Sequence, residues 1–295
     1  MGGNPGGQTN HGCKGVLNMQ ASITPLFVPG DRPERYAKAA TSGADAIIID
    51  LEDAVAPANK AQARAALATK GALPEGIEIY VRVNAANTQW YQEDLVALAP
   101  LPLAGVMLAK AESAHEVAQA SALAANKPVI ALLETALGLA MAREIAAAAC
   151  VRRLAFGSID YCADLGAAHL REALLTARSE IVLASRLAGL LPPLDGVTAT
   201  LDDDAVPEDD ARYALALGFG GKLCIHPRQI APVRRGFAPT TEELAWAQRV
   251  MATSEQGAVA VDGAMVDAPV RARAQQILQR AGHENAHHQE EKRGR

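Results

Sequence analysis

The chain has 295 residues, 49% of them hydrophobic, so it can bury one sizeable core, and a single closed barrel accounts for that length better than two small domains. Its 33 Asp and Glu exceed 28 Lys and Arg for a formal charge of -5, with the basic residues dispersed, which argues against nucleic acid and for small-molecule partners. No run approaches the ~18 apolar residues of a membrane span, and Cys13, Cys150, Cys162 and Cys224 lack CxxC spacing, so neither a disulfide framework nor the usual zinc site is expected; a cytoplasmic protein fits.

Residues 1–21, rich in Gly and polar groups, are expected to stay disordered, as is the tail 283–295, whose His287-His288 reads as tail composition. Residues 24–28 read as a strand ending in the turn Pro29-Gly30, with Asp31 as N-cap of a helix carrying Pro33 in its first turn. Residues 46–49 form a second apolar strand, followed by an Ala-rich helix over 57–69 that stops near Gly71. Four more strands are predicted over 77–83, 105–108, 129–133 and 153–156, with Ala-rich helical segments after most of them. Residues 194–197 make a weaker seventh strand and 221–225 the last; Asp202-Asp203-Asp204 between them reads as a solvated helix start.

Alternating strands and helices imply a parallel sheet. No Gly-rich dinucleotide loop follows the first strand, so an α/β fold of the (β/α)8 TIM-barrel type over 22–238 is preferred to a doubly wound sheet. Thr240-Thr241-Glu242-Glu243 opens a C-terminal helical extension, 239–282, expected to pack on the barrel or on a neighbouring subunit.

The apolar strands end in polar residues, which is where a barrel carries chemistry. Glu134 and Asp160 follow successive strands, so their carboxylates should meet at one rim and supply oxygen ligands for Mg²⁺; taken singly, each reads as easily as a helix cap. Asp50, Glu52 and Asp53 crowd three carboxylates into four positions, a costly arrangement unless cations share them. Arg82 interrupts an apolar strand, where it needs an anionic partner: a substrate carboxylate or enolate oxygen, an internal salt bridge to Glu52 or Asp53, or both. Lys110 has a similar rationale, though lysines in such loops are often simply exposed. Gly157-Ser158 and 218–221 present backbone N–H groups to an anion or are plain turns. Neither Ser158 nor Cys162 has an adjacent His, so no nucleophile pair is expected, and His226 reads as structural.

Leu26-Phe27-Val28-Pro29-Gly30, Asp50-Leu51-Glu52-Asp53-Ala54-Val55, Val81-Arg82-Val83-Asn84, Glu134-Thr135-Ala136, Phe156-Gly157-Ser158-Ile159-Asp160, Lys222-Leu223-Cys224-Ile225-His226-Pro227 and Met265-Val266-Asp267-Ala268-Pro269 occur in this order. Over 22–281 the chain resembles the citrate lyase beta-subunit-like branch of the HpcH/HpaI aldolase superfamily. The resemblance implies a Mg²⁺-dependent lyase that breaks the bond between a 2-keto acid and the acetyl unit of a thioester, with Glu134 and Asp160 holding the metal. It places Arg82 at the thioester enolate, with Glu52 and Asp53 as support, and Lys110, Gly157 and Ser158 beside the substrate. Arg32 and Lys38 fall on the CoA side, and Asp267 matches an Asp that reaches a neighbouring subunit's site to exchange a proton on the acetyl carbon. A homo-oligomer, trimer or hexamer, is therefore expected. A citrate lyase beta subunit acting on citryl-acyl carrier protein, a malyl-CoA-type thioesterase and a non-catalytic ligand-binding barrel remain the alternatives.

Overall fold

The computed structural model describes residues 22–69, 71–253, 259–262 and 264–293; the segment 1–21 lies outside them. Six strands form where apolar runs occur: β1 (Pro25–Pro29), β2 (Ala46–Asp50), β3 (Glu78–Val83), β4 (Gly105–Leu108), β5 (Val129–Leu133) and β6 (Val151–Phe156). Two short ones follow, β7 (Leu194–Asp195) and β8 (Gly221–Lys222). All eight pair in parallel in chain order. The Phe27 N–H donates to the Cys224 carbonyl at 2.8 Å and the Cys224 N–H to Pro25 at 2.9 Å, so the end of the sheet returns to its beginning as a barrel.

Helices fill the connections: α1 (Tyr36–Ala40), α2 (Lys60–Leu67), α3 (Tyr91–Leu98), α4 (Ala114–Leu123), α5 (Ala136–Ala140), α6 (Ala142–Ala147), α7 (Ser158–Leu165), α8 (Arg171–Leu187), α9 (Ala205–Leu217) and, after β8, α10 (Ile230–Phe237). The period-two alternation of strands divides the core in two. Ile47, Ile49, Val81, Val106, Val129 and Leu154 pack with helix residues, whereas Ala46, Ile48, Tyr80, Met107, Ile130, Leu132 and Ala155 form a separate cluster in the barrel. Continuing that second series carries Asp50, Arg82, Glu134 and Gly157 toward the barrel axis at the strands' carboxyl ends.

Two local expectations are corrected. Asp31 does not cap a helix: Arg32 occupies that position before a 3-10 turn, with no side-chain cap, while the Asp31 carboxylate accepts from Asn59 Nδ2 at 3.3 Å. The seventh and eighth strands are two residues each rather than 194–197 and 221–225, because Gly196 ends one and Ile225 donates its N–H to the Gln229 side chain instead of to a strand. So short a ladder is reinforced by buried ions: Asp195 accepts from Arg178 Nε at 2.9 Å and faces Lys222 Nζ at 3.3 Å, and Lys222 donates to the Gly196 carbonyl at 2.6 Å. The backbone of the last helix runs through 283–293, a polar stretch that contains no Gly or Pro to interrupt a helix.

Beyond the barrel, α11 (Thr241–Ala252) opens on a capping box in which Thr240 Oγ1 accepts from the Glu243 N–H at 3.1 Å and Glu243 accepts from the Thr240 N–H at 3.0 Å. A two-stranded antiparallel ribbon, β9 (Val259–Val261) and β10 (Ala264–Val266), leads to α12 (Ala268–Arg293). Ala247, Val250, Val266, Ala274 and Ile277 give this extension a small core of its own. Among the described residues no helix is long and apolar enough to cross a membrane.

Candidate active site

Asp50 and Arg82 are register partners on β2 and β3, and both point inward. Arg82 Nη2 and Nε meet the two Asp50 oxygens at 2.6 and 2.8 Å, a bidentate pair, while Nη1 lies 3.1 Å from Glu52 Oε2 and 3.8 Å from Asp53. The internal ion pair read for Arg82 is therefore present, but its main partner is Asp50. The three crowded carboxylates are reconciled by this one guanidinium and by backbone donors, since Asp50 also accepts from the N–H groups of Glu52 and Ala54.

Lys110 follows β4 in the left-handed region, φ 47°, uncommon for a residue with a side chain. That conformation aims its backbone N–H at Glu134 Oε1, 2.8 Å away, and turns the ammonium toward Glu52 at 2.6 Å, Asp160 at 3.2 Å and Glu134 at 3.8 Å. Burial alone would lower the Lys110 pKa, but Glu134, Glu52 and Asp160 together raise it. Burial, then Glu52, pushes the Glu134 carboxyl up to about 8. Glu52 is raised too, chiefly by burial, and its Oε2 is buried without a hydrogen bond.

Five carboxylates, Asp50, Glu52, Asp53, Glu134 and Asp160, thus share two cations, Arg82 and Lys110. Among the described residues no group of three or more His, Cys, Asp or Glu is arranged as a metal site, and the Lys110 ammonium lies 3.8 Å from Glu134 and 3.2 Å from Asp160. The donor set nevertheless fits Mg²⁺: hard carboxylate oxygens, more carboxylates than cations, and Glu134 and Asp160 both facing one cavity. Both carboxylates open on a cavity of about 470 Å³, lined also by Asp53, Ala85, Ala86 and Lys110.

The supporting residues were less visible in the sequence. Lys60, 4% exposed, donates to the carbonyls of Leu51 and Glu52 at 2.8 and 2.9 Å and to Asn84 Oδ1 at 2.7 Å, pinning the loop that carries Glu52. A Cβ on Gly157 would overlap the Glu134 side chain, so this glycine gives Glu134 its room. Its N–H is not free for an anion, since it donates to the Leu133 carbonyl at 2.9 Å.

Ser158 does have a histidine partner, contrary to expectation: His169 Nε2 lies 2.9 Å from Ser158 Oγ, across a loop that sequence adjacency hides. Ser158 is 1% exposed and does not line the cavity, so the pair is placed as a structural contact. His226 caps the 3-10 turn after β8, accepting from the Arg228 N–H at 3.2 Å, in keeping with its structural reading. Arg32 and Lys38 are exposed beside α1 and line no part of the cavity. Asp267, also exposed, accepts from the Val270 N–H at 3.0 Å at the start of α12 and is likewise absent from the cavity wall.

A closed parallel barrel with its polar cluster at the strands' carboxyl ends defines a TIM-barrel protein of the enzyme type. The chain matches the family described as HpcH/HpaI aldolase/citrate lyase over residues 24–227, and a carbon–carbon bond lyase family of the TIM-barrel fold over 208–283. It belongs to the HpcH/HpaI aldolase/citrate lyase family. A citrate lyase subunit beta-like protein of Mycobacterium tuberculosis is 45% identical over 266 residues, covering 87% of this chain and 94% of the relative. A (3S)-malyl-CoA thioesterase of Cereibacter sphaeroides is 33% identical over 266 residues, 87% of this chain and 93% of its own. The crystal structure of CitE from M. tuberculosis in complex with magnesium, acetoacetate and coenzyme A superposes with a TM-score of 0.80 at 42% identity, covering 89% of this chain and 99% of that one.

Proposed function

We propose that the protein is a Mg²⁺-dependent carbon–carbon lyase that cleaves a 3-hydroxyacyl-CoA thioester, such as citramalyl-CoA or malyl-CoA, to acetyl-CoA and a 2-keto acid. The observation that carries this reading is the convergence of Glu134, Asp160, Lys110 and Arg82 on one rim of the barrel. Magnesium held by Glu134 and Asp160 would supply a Lewis acid that polarises the keto-acid oxygens. The relatives' magnesium, keto-acid and coenzyme A complexes support the same cofactor and ligands here.

When the carbon–carbon bond breaks, the hydroxyl carbon becomes a carbonyl, its hydroxyl proton passes to solvent in the open cavity, and the bonding pair passes to the thioester as an enolate. Arg82, locked by Asp50 and Glu52, is a fixed cation suited to that oxygen, with Asp53 completing its surroundings. Lys110 adds a second cation beside the substrate, Gly157 leaves Glu134 its room, and Ser158 next to it stays buried off the cavity wall. The enolate carbon then takes a proton, a role this reading gives to Asp267 of a neighbouring copy in a trimer or hexamer. Arg32 and Lys38 sit on the exposed β1–α1 side assigned to CoA. The barrel, 22–238, and the extension, 239–282, are in this reading one catalytic unit, working in the cytoplasm.

Incubation of the purified protein with Mg²⁺ and each thioester tests the reading. Acetyl-CoA and keto acid appearing together support it; free CoA with an intact hydroxy acid selects a thioesterase, and turnover only of citryl-acyl carrier protein selects a citrate lyase subunit.

A further inference from the structure

The outer face of α8 carries an apolar row that the monomer leaves uncovered. Leu175, Leu183 and Leu187 are 42, 44 and 66% exposed, and with Ser179 they make an i, i+4 series along one side of the helix. An isolated exposed leucine is ordinary, whereas three on one ridge of a 17-residue helix ask what covers them. The opposite face is spent on the core, where Leu174, Ala177, Ile181 and Ala184 are buried.

The central part of the row is symmetric about Ser179, whereas Leu187, eight residues beyond it, has Arg171 as its counterpart. Leu175 and Leu183 stand four residues to either side of Ser179, and Glu172 and Arg186 stand seven residues to either side. Seven residues are close to two helical turns, so Glu172 and Arg186 flank the same ridge. Both are exposed, and among the described residues neither has an ion-pair partner, unlike their neighbours Arg171, paired with Asp209 and Asp210, and Glu180, paired with Arg143.

We propose that this face of α8 packs antiparallel on the same face of a second copy, with the two-fold axis at Ser179. In that arrangement Leu175 of one copy meets Leu183 of the other, the small Ser179 side chains let the helices approach, and Glu172 reaches Arg186 at both ends. Parallel packing would set like residues against like and pair Glu172 with Glu172, so the charges select the antiparallel orientation. The surface lies away from the cavity residues and is independent of the reaction proposed above.

Light scattering and mild oxidation of engineered cysteines test it. Leu183→Glu is expected to halve the mass of the assembly while circular dichroism, melting and turnover per chain stay as in the parent. Ser179→Cys, at the axis, is expected to form a chain-to-chain disulfide that the parent protein does not form under the same oxidant. Glu172→Arg and Arg186→Glu should each raise the concentration needed for assembly at least tenfold, and the double exchange should restore it. A parent chain that is monomeric at all concentrations, or an assembly mass unchanged by Leu183→Glu with no Ser179→Cys cross-link, overturns the proposal.

Discussion

Gly157 leaves its α-carbon bare against Glu134, where a β-carbon would overlap both the carboxylate and the Cβ of that side chain. Glu134 is 2% exposed, so it has nowhere to retreat without moving its own strand end. Gly157→Ala is therefore expected to weaken divalent-cation binding at least tenfold, about 1.4 kcal/mol, and to cost roughly 1–3 kcal/mol in folding stability from overpacking. Calorimetric Mg²⁺ titration alongside a melt checks both, and parent-like affinity in Gly157→Ala would remove Glu134 from the metal site.

The elevated Glu134 pKa gives a pH dependence with a definite sign. Burial and then Glu52 raise the carboxyl from its ordinary 4.5 to about 8, so in the metal-free protein this group's contribution to stability falls as pH rises between those values. A cation that needs the ionised form must displace the proton. Mg²⁺ affinity should accordingly rise by up to tenfold per pH unit below about 8 and level off above it, with proton release detectable by calorimetry in buffers of different ionisation enthalpy. A flat affinity between about pH 6 and 9 contradicts this.

In the proposed reaction, a dication held by Glu134 and Asp160 would compete with the Lys110 ammonium, which lies 3.8 Å from the first and 3.2 Å from the second. Lys110→Met removes that competing charge, so it should raise Mg²⁺ affinity several-fold while lowering the metal-free melting temperature, because Glu52 loses its 2.6 Å partner. Turnover should fall with the loss of the cation at the substrate. Unchanged metal affinity would mean that the ammonium and the metal occupy different places.

Much of this architecture was legible because strand alternation is simple. Once residues 46–49 read as a strand, its last position, Asp50, and the charges of Arg82 and Glu134 had to fall at one rim. What escaped depended on the third dimension. Asp50 looked like one crowded acid among three until its register opposite Arg82 was set. The Ser158–His169 contact spans eleven residues, and the left-handed turn at Lys110 has no glycine to announce it. Lys60 reads as an ordinary helix-start lysine, yet it is buried on two loop carbonyls and Asn84. The shortness of β7 and β8 was equally hidden, since the ions that compensate for it come from α8 and both strands.

That compensation is testable. Asp195→Ala would strand Arg178 and Lys222, two cations that are 7 and 2% exposed, and should cost about 3–5 kcal/mol of stability, read by chemical denaturation. Replacing Arg82 by Lys tests a different link. It cannot reproduce the two-pronged contact with Asp50, so turnover should fall about 100-fold or more with the fold retained.

The central claim is that Glu134 and Asp160 hold one divalent cation where Lys110 now bridges them. Anomalous diffraction from crystals soaked in Mn²⁺, a spectroscopically visible substitute for Mg²⁺, addresses it most directly. The account predicts a single peak touching a Glu134 oxygen and an Asp160 oxygen, with the Lys110 ammonium displaced from between them. A peak elsewhere, or none with Lys110 still in contact with both carboxylates, would contradict it.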